Sequence, residues 1–147
     1  MNAIADPLNG LRVLIVEDET LVAMLIEEYL LEMGCEVAFS ASRIAKAFKG
    51  LQTSCIDVAV LDVNVAGESI SQLVDVLHQR GIPFIFASGY GPRGIDARWS
   101  DNPVLQKPFT GTDLRTALLA TLKSTSKSRS ARPLPGAKVI ASAICIR

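Results

Sequence analysis

Four apolar runs in this chain stop at residues equipped for chemistry. The run 11–16 ends in Glu17-Asp18-Glu19, the run 58–61 in Asp62, the run 83–87 in Ser88 and the run 104–106 in Lys107. Each is ordinary alone. Asp18 would serve as a helix cap, Asp62 and Ser88 as turn residues, and Lys107 as a solvated surface charge. Their recurrence at successive strand ends is not ordinary. Carboxylates of Glu17, Asp18 and Asp62 brought together repel one another and raise one another's pKa unless a cation sits among them. Oxygen donors with no His or Cys beside them suit a hard divalent ion, most naturally Mg²⁺ that keeps several waters. An ammonium and a hydroxyl opposite that ion, from Lys107 and Ser88, are what the oxygens of a phosphoryl group need.

The elements that must position these side chains can be read from periodicity. Short continuous apolar runs are strands buried on both faces. The first strand, 11–16, is followed by a helix over 20–33, with Leu21, Leu25, Ile26, Tyr29, Leu30 and Met33 at helical spacing and Gly34 as its stop. A brief strand at 37–39 precedes a helix over 43–51 with Ser42 as N-cap. The strand ending in Asp62 leads through a loop of small residues, 65–69, into a helix over 69–80 closed by Gly81. After the strand 83–87, Gly91-Pro92-Arg93-Gly94 opposes a regular helix, which leaves a short or irregular one at 95–99. The strand 104–106 comes next. Thr110-Gly111-Thr112-Asp113 then has capping-box form and opens a helix through about Lys123. Five strands alternating with helical segments predict a parallel sheet with helices on both faces. Its carboxyl edge, where open α/β sheets bind ligands, would carry the residues above.

Composition agrees with one folded domain: 49% of residues are hydrophobic and 20% charged over 147 residues. No run is long enough to span a membrane, and residues 1–6 lack the form of a secretory signal. Cys35, Cys55 and Cys145 are odd in number and show no C-x-x-C spacing, which predicts reduced thiols in a cytoplasmic protein and no metal bound through them. The zero net charge conceals an asymmetry. Residues 1–125 hold all 15 acids and 10 bases, for −5, whereas residues 126–147 hold five bases and no acid, for +5. An acidic body argues against nucleic acid as the main partner. Residues 124–136 read as a polar linker. The apolar stretch 139–146 is ambiguous between strand and helix and is an association hazard if exposed, so we expect it to pack on the body or on a second subunit. His78 reads as solvated. Trp99 covers the irregular fourth segment or belongs to a partner surface.

Over residues 10–125 the chain resembles the receiver domain of bacterial two-component response regulators. The resemblance rests on Val16-Glu17-Asp18-Glu19, Leu61-Asp62-Val63-Asn64, Ala87-Ser88-Gly89 and Lys107-Pro108-Phe109, in that order. It implies a flavodoxin-like, doubly wound five-stranded sheet in the order 2-1-3-4-5. It also implies that Asp62 accepts a phosphoryl group, that Glu17, Asp18, Asp62 and the backbone carbonyl of Asn64 hold Mg²⁺, and that Ser88 and Lys107 bind the phosphoryl oxygens. The donor implied is a sensor histidine kinase or a histidine phosphotransfer protein, and the output is through a downstream protein partner. Residues 126–147 would be a basic linker and short tail, too short for an output domain, so the expectation is a single-domain regulator with no enzymatic activity beyond self-phosphotransfer and autodephosphorylation.

Two departures from the family pattern stand out. The fifth-strand position that commonly carries a switch aromatic is Val104 here. Phe86-Ala87-Ser88-Gly89-Tyr90-Gly91 resembles instead a subgroup marked by a Phe-Ala-Thr-Gly-Tyr motif, known from alphaproteobacterial stand-alone receivers. By that resemblance the switch involves Ser88 and Tyr90; the plain reading of Tyr90 is a half-buried surface aromatic. The loop after Asp62 also lacks a Met-Pro-Gly-type turn. Rival readings are a pseudo-receiver or phosphate sink, and a phosphatase with an aspartyl nucleophile. The phosphatase is disfavoured because such enzymes place a second Asp two residues after the nucleophile, where this chain has Asn64. A flavodoxin-type binding module is disfavoured because Glu17-Asp18-Glu19 would repel a phosphate after the first strand.

Overall fold

Alternate residues of each central strand face opposite ways, and both faces are apolar, so the strands demand cover on two sides. A computed structural model describes residues 6–89, 95–99 and 101–130. In chain order the elements are β1 (Arg12–Val16), α1 (Thr20–Glu32), β2 (Glu36–Ala41), α2 (Ile44–Thr53), β3 (Val58–Asp62), β4 (Asn64–Val65), β5 (Glu68–Ser69), α3 (Ser71–Gln79), β6 (Phe84–Ser88), a 3-10 turn (Ala97–Trp99), β7 (Val104–Gln106) and α4 (Gly111–Ser130). Five strands form one parallel sheet in the order β2-β1-β3-β6-β7. Counted within that sheet, this is the expected 2-1-3-4-5.

Val13, Ile15, Val58, Val60, Ile85 and Ala87 face a core shared with Ile26 and Leu30 of α1 and Leu114 and Leu118 of α4. Leu14, Val16, Ala59, Leu61, Phe84 and Phe86 face a second core with Ala47 and Leu51 of α2 and Leu73, Val74 and Leu77 of α3. Helices α1 and α4 therefore cover one face, and α2 and α3 the other. The chain leaves β1 for β2 on one side and returns to β3 on the other, so the crevice between the carboxyl ends of β1 and β3 is the topological switch point.

The stop signals act as expected. Gly34 takes φ +87°, its N–H donates to the carbonyl of Leu31, and that of Cys35 donates to Leu30. Gly81 takes φ +73°, with Ile82 donating back to Leu77. Both are left-handed helix ends that a side chain would strain. The capping box at α4 is reciprocal: the Asp113 N–H donates to Thr110 Oγ1 at 3.1 Å and the Thr110 N–H to Asp113 Oδ2 at 3.0 Å.

Several expectations change. The residue before α2 is Arg43, which makes no side-chain cap, so Ser42 lies one position too early to be the N-cap. The loop after Asp62 contains a two-residue ribbon, β4 against β5, whose turn puts both Ala66 (φ 53°) and Gly67 (φ 81°) in the left-handed region. That is a primed hairpin turn, matched to strand twist. It moves the start of α3 from residue 69 to Ser71, whose N–H bonds Ser69 Oγ at 3.2 Å. Among the described residues of the fourth connection, Ala97–Trp99 form a short 3-10 turn. Trp99 closes that turn edge-on against Phe84 (centroids 5.6 Å apart) and against His78 (5.1 Å), so it covers the irregular segment and gives the exposed His78 a ring neighbour. Helix α4 runs past Lys123 to Ser130, because no Gly or Pro interrupts 124–130. The first half of the supposed linker is thus helical. Leu8 is wholly buried, so the folded body reaches back beyond residue 10. Leu21 and Leu25, counted above on the helical stripe, face outward instead. Residues Tyr90 to Gly94 and the tail 131–147 lie outside the described residues.

Candidate functional site

The register of the sheet brings the strand ends together. Val16 of β1 lies beside Leu61 of β3, and Asp62 beside Ala87 of β6, so Glu17, Asp62 and Ser88 follow one another along the carboxyl edge. The N–H of Lys107 donates to the carbonyl of Ser88 at 2.9 Å, which sets the lysine just past β7 at the same edge. Glu17 and Ser88 are each only 2% exposed.

Glu17 is held from two sides. Its Oε2 accepts the N–H of Glu19 at 3.1 Å, and its Oε1 accepts from Lys107 Nζ at 2.8 Å. Lys107 Nζ also lies 3.5 Å from Asp62 Oδ2 and 3.8 Å from Glu19 Oε1. Asp18 is exposed, and its Oδ2 accepts the N–H of Ala66 at 3.0 Å and ties the β4–β5 turn to the end of β1. One carboxylate oxygen from each of Glu17, Asp18 and Asp62 lies within 4.8 Å of the others. The predicted cluster is therefore assembled. Asn64 opens β4 two residues beyond Asp62. Val104 is half-buried and pairs with Phe86.

The electrostatics of this cluster are dominated by burial. Desolvation pushes the Glu17 carboxyl up to about 7, opposed by the Lys107 hydrogen bond and reinforced by the charge of Asp62. Burial works to lower the Lys107 ammonium, yet Glu17, Asp62 and Glu19 together hold it above its ordinary value. A cluster in which one acid is driven toward its neutral form has room for positive charge. Three oxygen donors of this kind, half-open to solvent, fit a hydrated hard cation such as Mg²⁺ better than a soft metal. The one site residue that the sequence reading left without a role is Glu19. Its position two residues after Glu17, in a run of acids, was the available signal.

Comparison with curated proteins returns no match. Solved structures do match. SdrG from Sphingomonas melonis Fr1 is 39% identical, with a TM-score of 0.69 over 77% of this chain and 97% of that one. The BeF3-activated conformation of SdrG, from Pseudomonas melonis Fr1, is 40% identical, with a TM-score of 0.67 over 76% of this chain and 95% of that one. The response regulator PhyR from Brucella abortus is 26% identical, with a TM-score of 0.72 over 83% of this chain; the match spans 51% of PhyR, about half its length. The family pattern described as the response regulator receiver domain covers residues 13–119. With the sheet order, the acidic cluster and Lys107 in place, the chain belongs to the response regulator receiver domain family.

Proposed function

We propose that this receiver takes a phosphoryl group onto Asp62 from a histidine kinase or histidine phosphotransfer protein and signals by protein–protein contact. The observation that carries the reading is the placement of Lys107 Nζ 3.5 Å from Asp62, beside the cluster of Glu17, Asp18 and Asp62. In the reaction a carboxylate oxygen of Asp62 attacks phosphorus in line. The new O–P bond gives an acyl phosphate, and the bond from phosphorus to the donor nitrogen breaks with its electrons. Glu17, Asp18, Asp62 and the Asn64 carbonyl would hold Mg²⁺, which when bound neutralises charge on the transferring group. Lys107, now paired with Glu17 and Asp62, shifts to the phosphoryl oxygens, and the Ser88 hydroxyl donates a hydrogen bond to them. Self-phosphotransfer and autodephosphorylation are the only chemistry proposed. The added charge, read through Ser88 and Tyr90, biases the segment between β6 and β7 between two arrangements. Likeness to SdrG over 97% of its solved chain supports the receiver reading.

The test is intact mass after incubation with acetyl phosphate, with Mg²⁺ and with chelator, for the parent and Asp62→Asn. A Mg²⁺-dependent gain of one phosphoryl group, absent from the variant, is expected. If neither acetyl phosphate nor any histidine kinase or phosphotransfer protein tried gives the adduct, the phosphoacceptor reading fails and a pseudo-receiver acting by binding alone replaces it.

A further inference from the structure

Helix α1 presents an unusual outer face. Leu21, Met24 and Leu31 are 79%, 57% and 62% exposed, and Leu25 is 41% exposed, at spacings that place them on one side of the helix. Glu28 and Glu32 share that side. The helix carries three acids, Glu27, Glu28 and Glu32, and no base. Beside this stripe a cavity of about 320 Å³ opens between α1 and the start of α4, walled by Val22, Leu25, Ile26, Pro108 and Phe109, with Glu19 and Lys107 also lining it. Groove and stripe meet at Leu25. Such a continuous apolar surface on a receiver body calls for a cover.

We propose that the cover is the chain's own C-terminal segment, with the apolar residues 139–146 lying along the α1 stripe and into the groove. Charge is the first argument. The outer side of α1 carries Glu28 and Glu32 and no base, whereas residues 131–147, beyond α4, carry three bases (Arg132, Lys138 and Arg147) and no acid; Lys138 and Arg147 flank the apolar residues directly. A second copy meeting this face through its own α1 would instead set acids against acids. Reach is the second. Helix α4 lies on the same face of the sheet as α1, with Tyr29 of α1 bonded to the Phe109 carbonyl at 3.4 Å just before α4 begins. The eight residues 131–138 span up to about 26 Å when extended. Helix α4 carries Ser130 about 30 Å from the groove, and residues 131–146 fully extended span about 53 Å, enough to run back along α1 to it. Composition is the third: Val139, Ile140, Ile144 and Ile146 are separated by the small residues Ala141, Ser142, Ala143 and Cys145, which suits a shallow apolar groove.

Cys145 supplies the test. The full-length chain carries Met24→Cys on α1 and Cys55→Ser. Cys35 stays, since it is buried and its thiol, pushed up to about 11 by burial and the charge of Asp6, is unreactive. Mild oxidation with diamide is followed by peptide mapping without reductant. The expected product is an intramolecular disulfide between Cys145 and the thiol introduced on α1, formed at a rate independent of protein concentration. A tether alone gives some cross-linking, so the comparison is the same chain with Ile140→Asp and Ile144→Asp, in which a docked tail loses its apolar contacts and the rate falls about tenfold. Both positions lie outside the described residues. Equal rates in the two chains would overturn the proposal, and a disulfide between chains that grows with concentration would assign the face to a second copy.

Discussion

Glu17→Gln turns the buried acid of the cluster into a direct measurement. The parent carboxyl titrates near 7 in the folded protein against 4.5 ordinarily, a displacement worth about 3 kcal/mol at 1.36 kcal/mol per unit. The side chain is 1% exposed, so little of this is screened. The folded pKa is the higher one, so the folded state holds the proton more tightly than the unfolded chain. Its stabilising contribution is complete below pH 4.5 and is lost as pH rises through about 7. The substituted amide has no charge to desolvate and can still accept from Lys107. The variant should therefore match the parent near pH 4.5 and exceed it by up to about 3 kcal/mol at about pH 8, when both are unfolded with urea in chelator. Asp6 and Asp96 fall outside the window, since hydrogen bonds from the Leu8 and Arg98 backbones hold them below their ordinary value. Mg²⁺ should erase the difference by stabilising the parent at the higher pH and leaving the variant little changed. A stability difference that stays flat from pH 4.5 to 8 in chelator would refute the account of Glu17 as a carboxylate held at a desolvation cost.

Lys107→Ala removes the ammonium that bonds Glu17 and approaches Asp62, so the rate of adduct formation from acetyl phosphate should fall about a hundredfold. Mg²⁺ binding, followed by calorimetry, should hold or tighten as the cluster loses its competing cation. Thr110→Ala deletes one arm of the capping box at α4 and should lower stability by about 1 kcal/mol in urea unfolding, with the slope unchanged. Gly50→Ala should destabilise by about 1–3 kcal/mol, although alanine favours a helix, because the added Cβ would sit 2.5 Å from the Phe39 ring; Phe39→Leu in the same chain should recover part of the loss.

The candidate site was legible because each part sits at the end of an apolar run, and a strand end is a local signal. The capping box and both helix-stop glycines were equally local. The pairing was not. Lys107 bonds Glu17 across 90 residues of chain, and nothing in either neighbourhood says that the lysine prefers Glu17 to Asp62. Nor does the sequence distinguish Glu17 from Asp18 beyond their alternation, yet one is buried and the other faces water. The β4–β5 turn escaped because Ala66 rarely adopts a left-handed φ, and the bond from its N–H to Asp18 exists only once β1 and β3 are neighbours.

By itself the sequence determined the five strands of the main sheet, the helices between them and the candidate residues at the strand ends, since those follow from period, caps and breakers within a few residues. Helical spacing could not say which side of α1 faces the sheet. Leu21 and Leu25 repeat with the same period as Ile26 and Leu30, and only docking against β1 and α4 chose Ile26 and Leu30 for the core. Burial of Glu17, its displaced pKa and its bond to Lys107 likewise arise from groups distant in the chain, whose desolvation and Coulomb energies exist only when the sheet has brought its carboxyl ends together.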